Sequence, residues 1–433
     1  MQYYSLHKTA PDVDFRQAVV TGQAPDKGLY FPREIPRLPR NFLTDLVNLS
    51  KEEIGYAVLK PYVGDSLPDE VLQKIVSETI NFPFPLVRVD ENIFSLELFH
   101  GPTYAFKDVG ARFMSRCLGY FNQSSSEKTT ILVATSGDTG GAVANGFLGV
   151  DGVEVIILYP SGKVSPVQEL QLTTCGENIT ALEVQGSFDD CQAIVKQVFV
   201  DEDLKQKYQL TSANSINVGR WLPQQLYYFY ALQQWKEAEM PVISVPSGNF
   251  GNICAGMVAY ISGLPIKYFI AACNANDVVP KFLQTDVYQP QPSVSTISNA
   301  MDVGNPSNFV RVMELFHQQI KELKKCFGSV SVSDDETKAT IKKVYNAAGY
   351  LLDPHGAVAY KALNDYLQTH KNDKGILLET AHPVKFPDVI ENLLQIKIPI
   401  PENAKDLSAK EKQSILMEAS FEKVKEWMMG RNL

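Results

Sequence analysis

The stretch VATSGDTGGAVANG (Val133–Gly146) leaves an apolar run, ILVA (131–134), turns through glycines and enters a helix-forming segment. VPSGNFGNICAG (Val245–Gly256) repeats the device: apolar PVISVP (241–246), a glycine turn, then a helical pattern over 251–262. Both turns carry the frame Ser-Gly-[Asp/Asn]-x-Gly between a strand and a helix. Further short apolar runs at 92–98, 153–159, 179–184, 267–273 and 375–379 predict strands. Between them, helical spacing is expected over 108–121, 139–148, 166–175 and 189–206. Strands with no polar alternation are buried on both faces, so the pattern predicts an α/β fold with parallel sheets covered by helices.

The first 85 residues differ. They are rich in proline, glycine and aromatics (PDKGLYFPREIPRLP), carry one expected helix at Asp69–Ile80, and end at the breaker cluster NFPFP. The expected organisation is a small N-terminal domain over 1–85, an α/β domain over 86–210 and a second over 211–433. In the last of these, helices are expected at 308–326, 335–350 and 356–369, after a loop-rich stretch at 284–308. A charged amphipathic helix over 407–430 is read as a solvated surface or an oligomer contact.

The 433-residue chain has 40 Lys and Arg against 49 Asp and Glu, a net charge of −9 with no basic stripe. That argues against nucleic acid or an anionic membrane as partner. Any anionic ligand must be held by local donors. The six cysteines form no C-x-x-C pair, so buried reduced thiols in a cytoplasmic protein are expected and no metal site is implied. MQYYSLHKTA at the N-terminus has no basic-then-apolar pattern and no apolar run reaches membrane length, so neither a secretion signal nor a span is expected. The expected form is a monomer or homodimer.

A glycine turn opening a helix aims backbone N–H groups and the positive end of the helix dipole into the crevice beyond the strands. Ser247-Gly248-Asn249-Phe250-Gly251-Asn252 fits such an anion cradle, and Thr135-Ser136-Gly137-Asp138-Thr139 adds three hydroxyls. Neither turn is followed by Gly-Lys-[Ser/Thr], and neither is G-x-G-x-x-G, so nucleotides are not indicated. In NSINVGR, Asn214, Ser215 and Arg220 offer a third set, with Arg220 suited to clamp a phosphate or carboxylate. Lys163, in PSGKVSP, is either a further phosphate attractor or a solvated loop lysine.

In ELFHGPTYAFKDVGARFM (97–114), Lys107 stands between a turn and a helix start with Tyr104, Phe106 and Phe113 around it. Desolvation lowers a lysine's pKa and frees the amine as nucleophile or base. Such a lysine near a phosphate cradle is an arrangement for pyridoxal phosphate, which leaves a second anion site for a phosphorylated substrate.

FHGPTYAFKDVGARFM, ATSGDTGGAVA, LYPSGKVSPVQE, NSINVGR, VPSGNFGN, SNAMDVGNPSN, DPHGAVAY and ETAHPVKF, in this order, resemble the threonine synthase family over about residues 85–390, and PDKGLYFP resembles its N-terminal region. The resemblance implies the tryptophan-synthase-β fold type (fold type II) and pyridoxal 5'-phosphate as cofactor. It implies conversion of O-phospho-L-homoserine and water to L-threonine and phosphate, the last step of threonine biosynthesis. By the same resemblance Lys107 is the Schiff-base lysine and proton shuttle, Gly248, Asn249, Phe250, Gly251 and Asn252 hold the cofactor phosphate, and Thr380 faces the pyridine nitrogen. Thr135, Ser136 and Thr139, with Asp138, match the loop near ring and substrate, and Asn214, Ser215 and Arg220 match the substrate-phosphate positions. Related enzymes often have asparagine where this chain has Asp138. A carboxylate there accepts unless protonated, or turns away from the ring. His355 and His382 are read as turn or cap residues. The rival readings are a threonine or serine dehydratase of the same fold, and a non-catalytic relative that binds a phosphorylated ligand.

Overall fold

The computed structural model describes residues 1–123, 128–401, 407 and 410–431. Three sheets organise the chain. Strands β1 (Tyr3–Ser5) and β2 (Tyr30–Pro32) form an antiparallel pair in the N-terminal segment. Strands β3 (Leu86–Arg88), β4 (Ile93–Glu97), β9 (Val242–Pro246), β10 (Tyr268–Cys273), β11 (Phe327–Ser331) and β12 (Gly375–Glu379) form a six-stranded sheet ordered β11-β10-β9-β12-β4-β3. Strands β5 (Thr129–Ala134), β6 (Val153–Pro160), β7 (Ile179–Gln185), β8 (Gln209–Ser212) and β13 (Ile415–Glu418) form a five-stranded sheet ordered β13-β7-β6-β5-β8. Every pairing in the smaller sheet is parallel; in the larger one only β3 runs antiparallel, at the edge.

The apolar strands behave as expected of chain buried on both faces: every residue of β5, β9 and β12 is buried. Their alternation with helices also sets where ligands go. Parallel strands connected by helices deliver their carboxyl ends, and the turns that follow, to one edge of each sheet.

The two large sheets do not divide the chain at residue 210. β3 and β4 belong to the larger sheet, because β4 pairs in register with β12 (Glu97 opposite Glu379). β13 completes the smaller sheet beside β7, so that domain draws on the far end of the chain. The expected helix over 407–430 is replaced by β13 and a helix at Phe421–Met429 capped by Ser420; residues 408 and 409 lie outside the described residues. Ile415, Leu416 and Met417 favour a strand once β7 offers a free edge, and Val424 and Met428 then seal that sheet's helical layer.

Two other long helices are broken. Residues 189–206 fold as Phe188–Val198 and Glu202–Lys207, because Asp201 caps a new helix by accepting from the Leu204 N–H at 3.0 Å. Residues 308–326 fold as Phe309–Leu315 and Ile320–Leu323, separated by left-handed backbone at His317 (φ 52°) and Gln318 (φ 62°), and β11 follows. The N-terminal segment also contains helices Phe15–Thr21 and Lys51–Val63 beyond the expected one, observed at Asp69–Thr79.

Candidate active site

A cleft with open space of about 980 Å³ lies between the two large sheets, and every candidate residue except Lys163 lines it. Thr135, Ser136, Asp138 and Thr139 come from the turn after β5, and Asn214, Ser215 and Arg220 from the chain after β8. The Gly248–Asn252 turn follows β9, and Thr380 follows β12. Lys163 is exposed on a loop turned by Gly162 (φ 66°) and stands toward Asp190.

Lys107 is the first residue of helix Lys107–Asn122 and is half-buried. The chain before it is fastened to the end of β12. The Phe106 N–H donates to the Thr380 carbonyl at 2.9 Å, the His382 N–H donates to the Tyr104 carbonyl at 3.0 Å, and Tyr227 Oη donates to the Phe106 carbonyl. Asp108, buried one residue on, accepts from the Thr103 N–H at 2.9 Å and from its hydroxyl, which closes the turn. Burial lowers the pKa of Lys107 to about 8; Asp138 opposes this, while Lys385 and Arg220 add to it. Phe106 supplies part of the dry wall, with its ring centroid 5.7 Å from Nζ.

Opposite lies the N-terminus of helix Gly251–Ile261, entered through Phe250 in left-handed conformation (φ 63°). At Gly248 a Cβ would lie 2.8 Å from Met301 Cα and 3.0 Å from the Ala300 carbonyl oxygen, so only glycine fits beneath the Asn299–Val303 loop. Asn252 accepts from Tyr228 Oη at 2.9 Å, while its Nδ2 is buried with no partner. Arg220 donates one nitrogen to the Ala213 carbonyl and leaves Nε buried and unpaired; burial lowers its pKa to about 10. Asn214 Oδ1 is likewise unpaired. Buried donors are rarely left unsatisfied, so an unpaired guanidinium nitrogen and an unpaired amide nitrogen on the walls of one cleft could hold an anion.

The turn after β5 is built differently from its twin. The Thr135 hydroxyl accepts from the N–H groups of Gly137 (3.0 Å) and Gly140 (2.8 Å), so its oxygen holds the turn while its O–H keeps a donor at the cleft wall. Gly137 has φ 131°, and a Cβ there would meet the Gln168 amide 2.5–2.7 Å away. Asp138 is buried and ionised. Its Oδ1 accepts from Lys385 Nζ at 2.6 Å and Gln168 Nε2 at 2.9 Å, and Lys385 and Lys107 hold its pKa well below the usual range against the cost of burial. The carboxylate stands at the start of helix Asp138–Phe147, so this helix's positive end already has an anion of its own. An ionised Asp138 has no proton to give a ring oxygen.

Both histidines act as sequence reading expects. His355 Nδ1 lies 3.1 Å from the Asp353 carboxylate, and its Nε2 accepts from the Ala300 N–H at 3.2 Å, which anchors the Asn299–Val303 loop. His382 Nδ1 accepts from the Val384 N–H at 3.0 Å; burial lowers its pKa to about 4, so it stays neutral. Sequence reading missed Lys385, Gln168 and the loop residues Asn299, Asp302 and Val303. Lys385 and the loop stand in motifs that were singled out, but nothing in one sequence says that two motifs touch.

Comparison with known proteins accounts for this assembly. A family profile described as Pyridoxal-phosphate dependent enzyme matches residues 81–378, one described as Threonine synthase N terminus matches 2–80, and one described as Threonine synthase, C-terminal matches 356–428. Threonine synthase of Haemophilus influenzae is 46% identical over 93% of both chains, and that of Escherichia coli 42% identical over 99% of this chain and all of its own. The crystal structure of the Escherichia coli enzyme covers the whole of both chains with a TM-score of 0.93 at 42% identity. A pyridoxal-phosphate-bound threonine synthase from Brucella melitensis superposes with a TM-score of 0.91 at 36% identity, covering 99% and 98% of the two chains. A threonine deaminase from Solanum lycopersicum, at 16% identity and a TM-score of 0.57, shares the fold alone. The chain belongs to the threonine synthase family of pyridoxal-phosphate-dependent enzymes.

Proposed function

We propose that this chain converts O-phospho-L-homoserine and water into L-threonine and phosphate. The observation that carries the reading is the meeting, in one cleft, of a lysine with a lowered pKa, a glycine-lined helix N-terminus and the Arg220 guanidinium, whose Nε is unpaired. The cleft fits pyridoxal phosphate: the Gly248–Asn252 turn presents backbone donors and the free Asn252 amide for its phosphate, and Lys107 stands as the amine to carry it. When bound, the cofactor supplies the electron sink for negative charge at the substrate's α- and β-carbons.

The residues divide the remaining work. Lys107, uncharged in part near neutral pH and displaced by the substrate amine, takes the α-proton and returns protons during the later steps. Arg220 and Asn214, with Ser215, hold the phosphate ester and steady it as it leaves the γ-carbon. Ser136 and Thr139 orient the substrate carboxylate and amine side, and the Thr380 hydroxyl faces the ring nitrogen. The partly buried Phe106 and the buried Phe250 limit water to the molecule that adds at the β-carbon.

A dehydratase needs no second phosphate site, so the buried Arg220 favours a phosphorylated substrate. The partner is a small molecule. Six free thiols, five of them buried, suit a cytoplasmic setting. The test is release of phosphate from O-phosphohomoserine by the purified protein, with threonine identified as product. Lys107→Ala should lose both that release and the visible absorbance band; retention of either overturns the reading.

A further inference from the structure

Lys385 ends the turn Pro383–Lys385 beyond β12, and its side chain has no exposure to water. Its Nζ touches the Asp138 carboxylate at 2.6 Å and the Thr103 carbonyl at 3.0 Å. It therefore joins the larger sheet, the turn that precedes Lys107, and the first residue of the helix that follows β5. Apolar side chains of the same size hold elements together at least as well as a buried ion pair, which loses hydration on both sides. The charges call for another reason, and Lys107 supplies it.

Three charged groups act on Lys107: Asp138 attracts it, while Lys385 and Arg220 repel it. Asp138 feels Lys385, Lys107 and His355. Lys385 itself faces Asp138, with Asp108 and the neutral His382 nearby. Among the described residues, the close ion pair of Asp138 is with Lys385 and not with Lys107. Gln168 takes up the same carboxylate oxygen at 2.9 Å. Without Lys385, Lys107 is the foremost remaining cation acting on this carboxylate, ahead of His355, and would become the ammonium partner.

We propose that Lys385 is a positioning residue for the Lys107 amine: it commits the Asp138 carboxylate to itself and stands as a second cation beside Lys107, which keeps Lys107 uncharged and able to take up the cofactor and the substrate's proton. The inference rests on Lys107 being the cofactor-bearing lysine.

The test uses the full chain freed of cofactor. Reductive methylation at limiting reagent, read at Lys107 by peptide mass spectrometry, gives the pH at which that amine becomes reactive. The midpoint should lie near 8 in the unaltered chain. Lys385→Met should raise it by about one pH unit or more, and Asp138→Asn should lower it. The double variant, with both charges gone, should return toward the unaltered value, and Lys385→Arg, which keeps the charge, should stay close to it. Loosened packing moves both single variants in the same sense, so opposite shifts report charge. Unchanged midpoints, or shifts in one direction, overturn the proposal. If Lys385→Met does not fold, a failure of Asp138→Asn to lower the midpoint, or of the double variant to restore it, does the same. Borohydride fixation of the cofactor, with the pyridoxyl group found on a residue other than Lys107, would instead overturn the underlying assignment.

Discussion

An amine that titrates near 8 is half uncharged at pH 8, and Lys107 is placed to be that amine. Cofactor capture by the cofactor-free protein should accelerate from pH 7 to pH 9 with a midpoint near 8, followed by the growth of visible absorbance. The same residue leaves a mark on stability. Its native pKa lies below its ordinary value of 10.5, so between 8 and 10.5 the unfolded chain binds the extra proton. Its contribution to stability therefore rises with pH across that window, and urea unfolding of the cofactor-free chain and Lys107→Met should differ by a gap that changes in that sense. Phe106, Phe113 and Tyr104 made this lysine legible in the sequence, because an apolar wall within a few positions is local information. Lys385 was not legible. Its partner Asp138 is 247 positions away, and no spacing rule connects them.

The turn after β5 shows how one element sets the chemistry of another. Gly137, at φ 131° and against the Gln168 amide, admits no side chain without strain and displacement. Gly137→Ala should destabilise the protein by about 1–3 kcal/mol in urea unfolding. It should also depress activity further than the stability loss explains, since moving Gln168 frees one side of the Asp138 carboxylate. The strand-turn-helix units were readable because apolar runs and glycine turns repeat a physical rule. The long helices expected over 189–206 and 308–326 were not. There the apolar spacing continues through Asp201, a side chain that caps, and through His317 and Gln318, whose left-handed backbone has no signature in residue type. β11 and β13 escaped notice because each is a short edge strand whose existence depends on a neighbour already in place.

At the scale of the molecule, the smaller sheet needs the chain's last described stretch. β13 pairs with β7, and Val424 and Met428 share one buried cluster with Leu182, Val184, Cys191 and Ile194. Lys207 secures the helix Phe421–Met429 by donating to the carbonyls of Met428 (3.2 Å), Met429 (2.7 Å) and Arg431 (2.6 Å). A chain ended at residue 410 should show faster amide exchange throughout β5–β8 while β9, β10 and β12 keep their protection, as read by hydrogen–deuterium exchange with mass spectrometry. The fold class was legible from alternating strands and helices; the crossing of the chain between sheets was not, since sequence order suggests contiguous domains. That crossing limits how such genes can be shuffled. A hybrid of two relatives joined once at residue 210 divides both large sheets between its parents, so mosaics that keep 129–212 and 415–431 from one source should outlast those that split them.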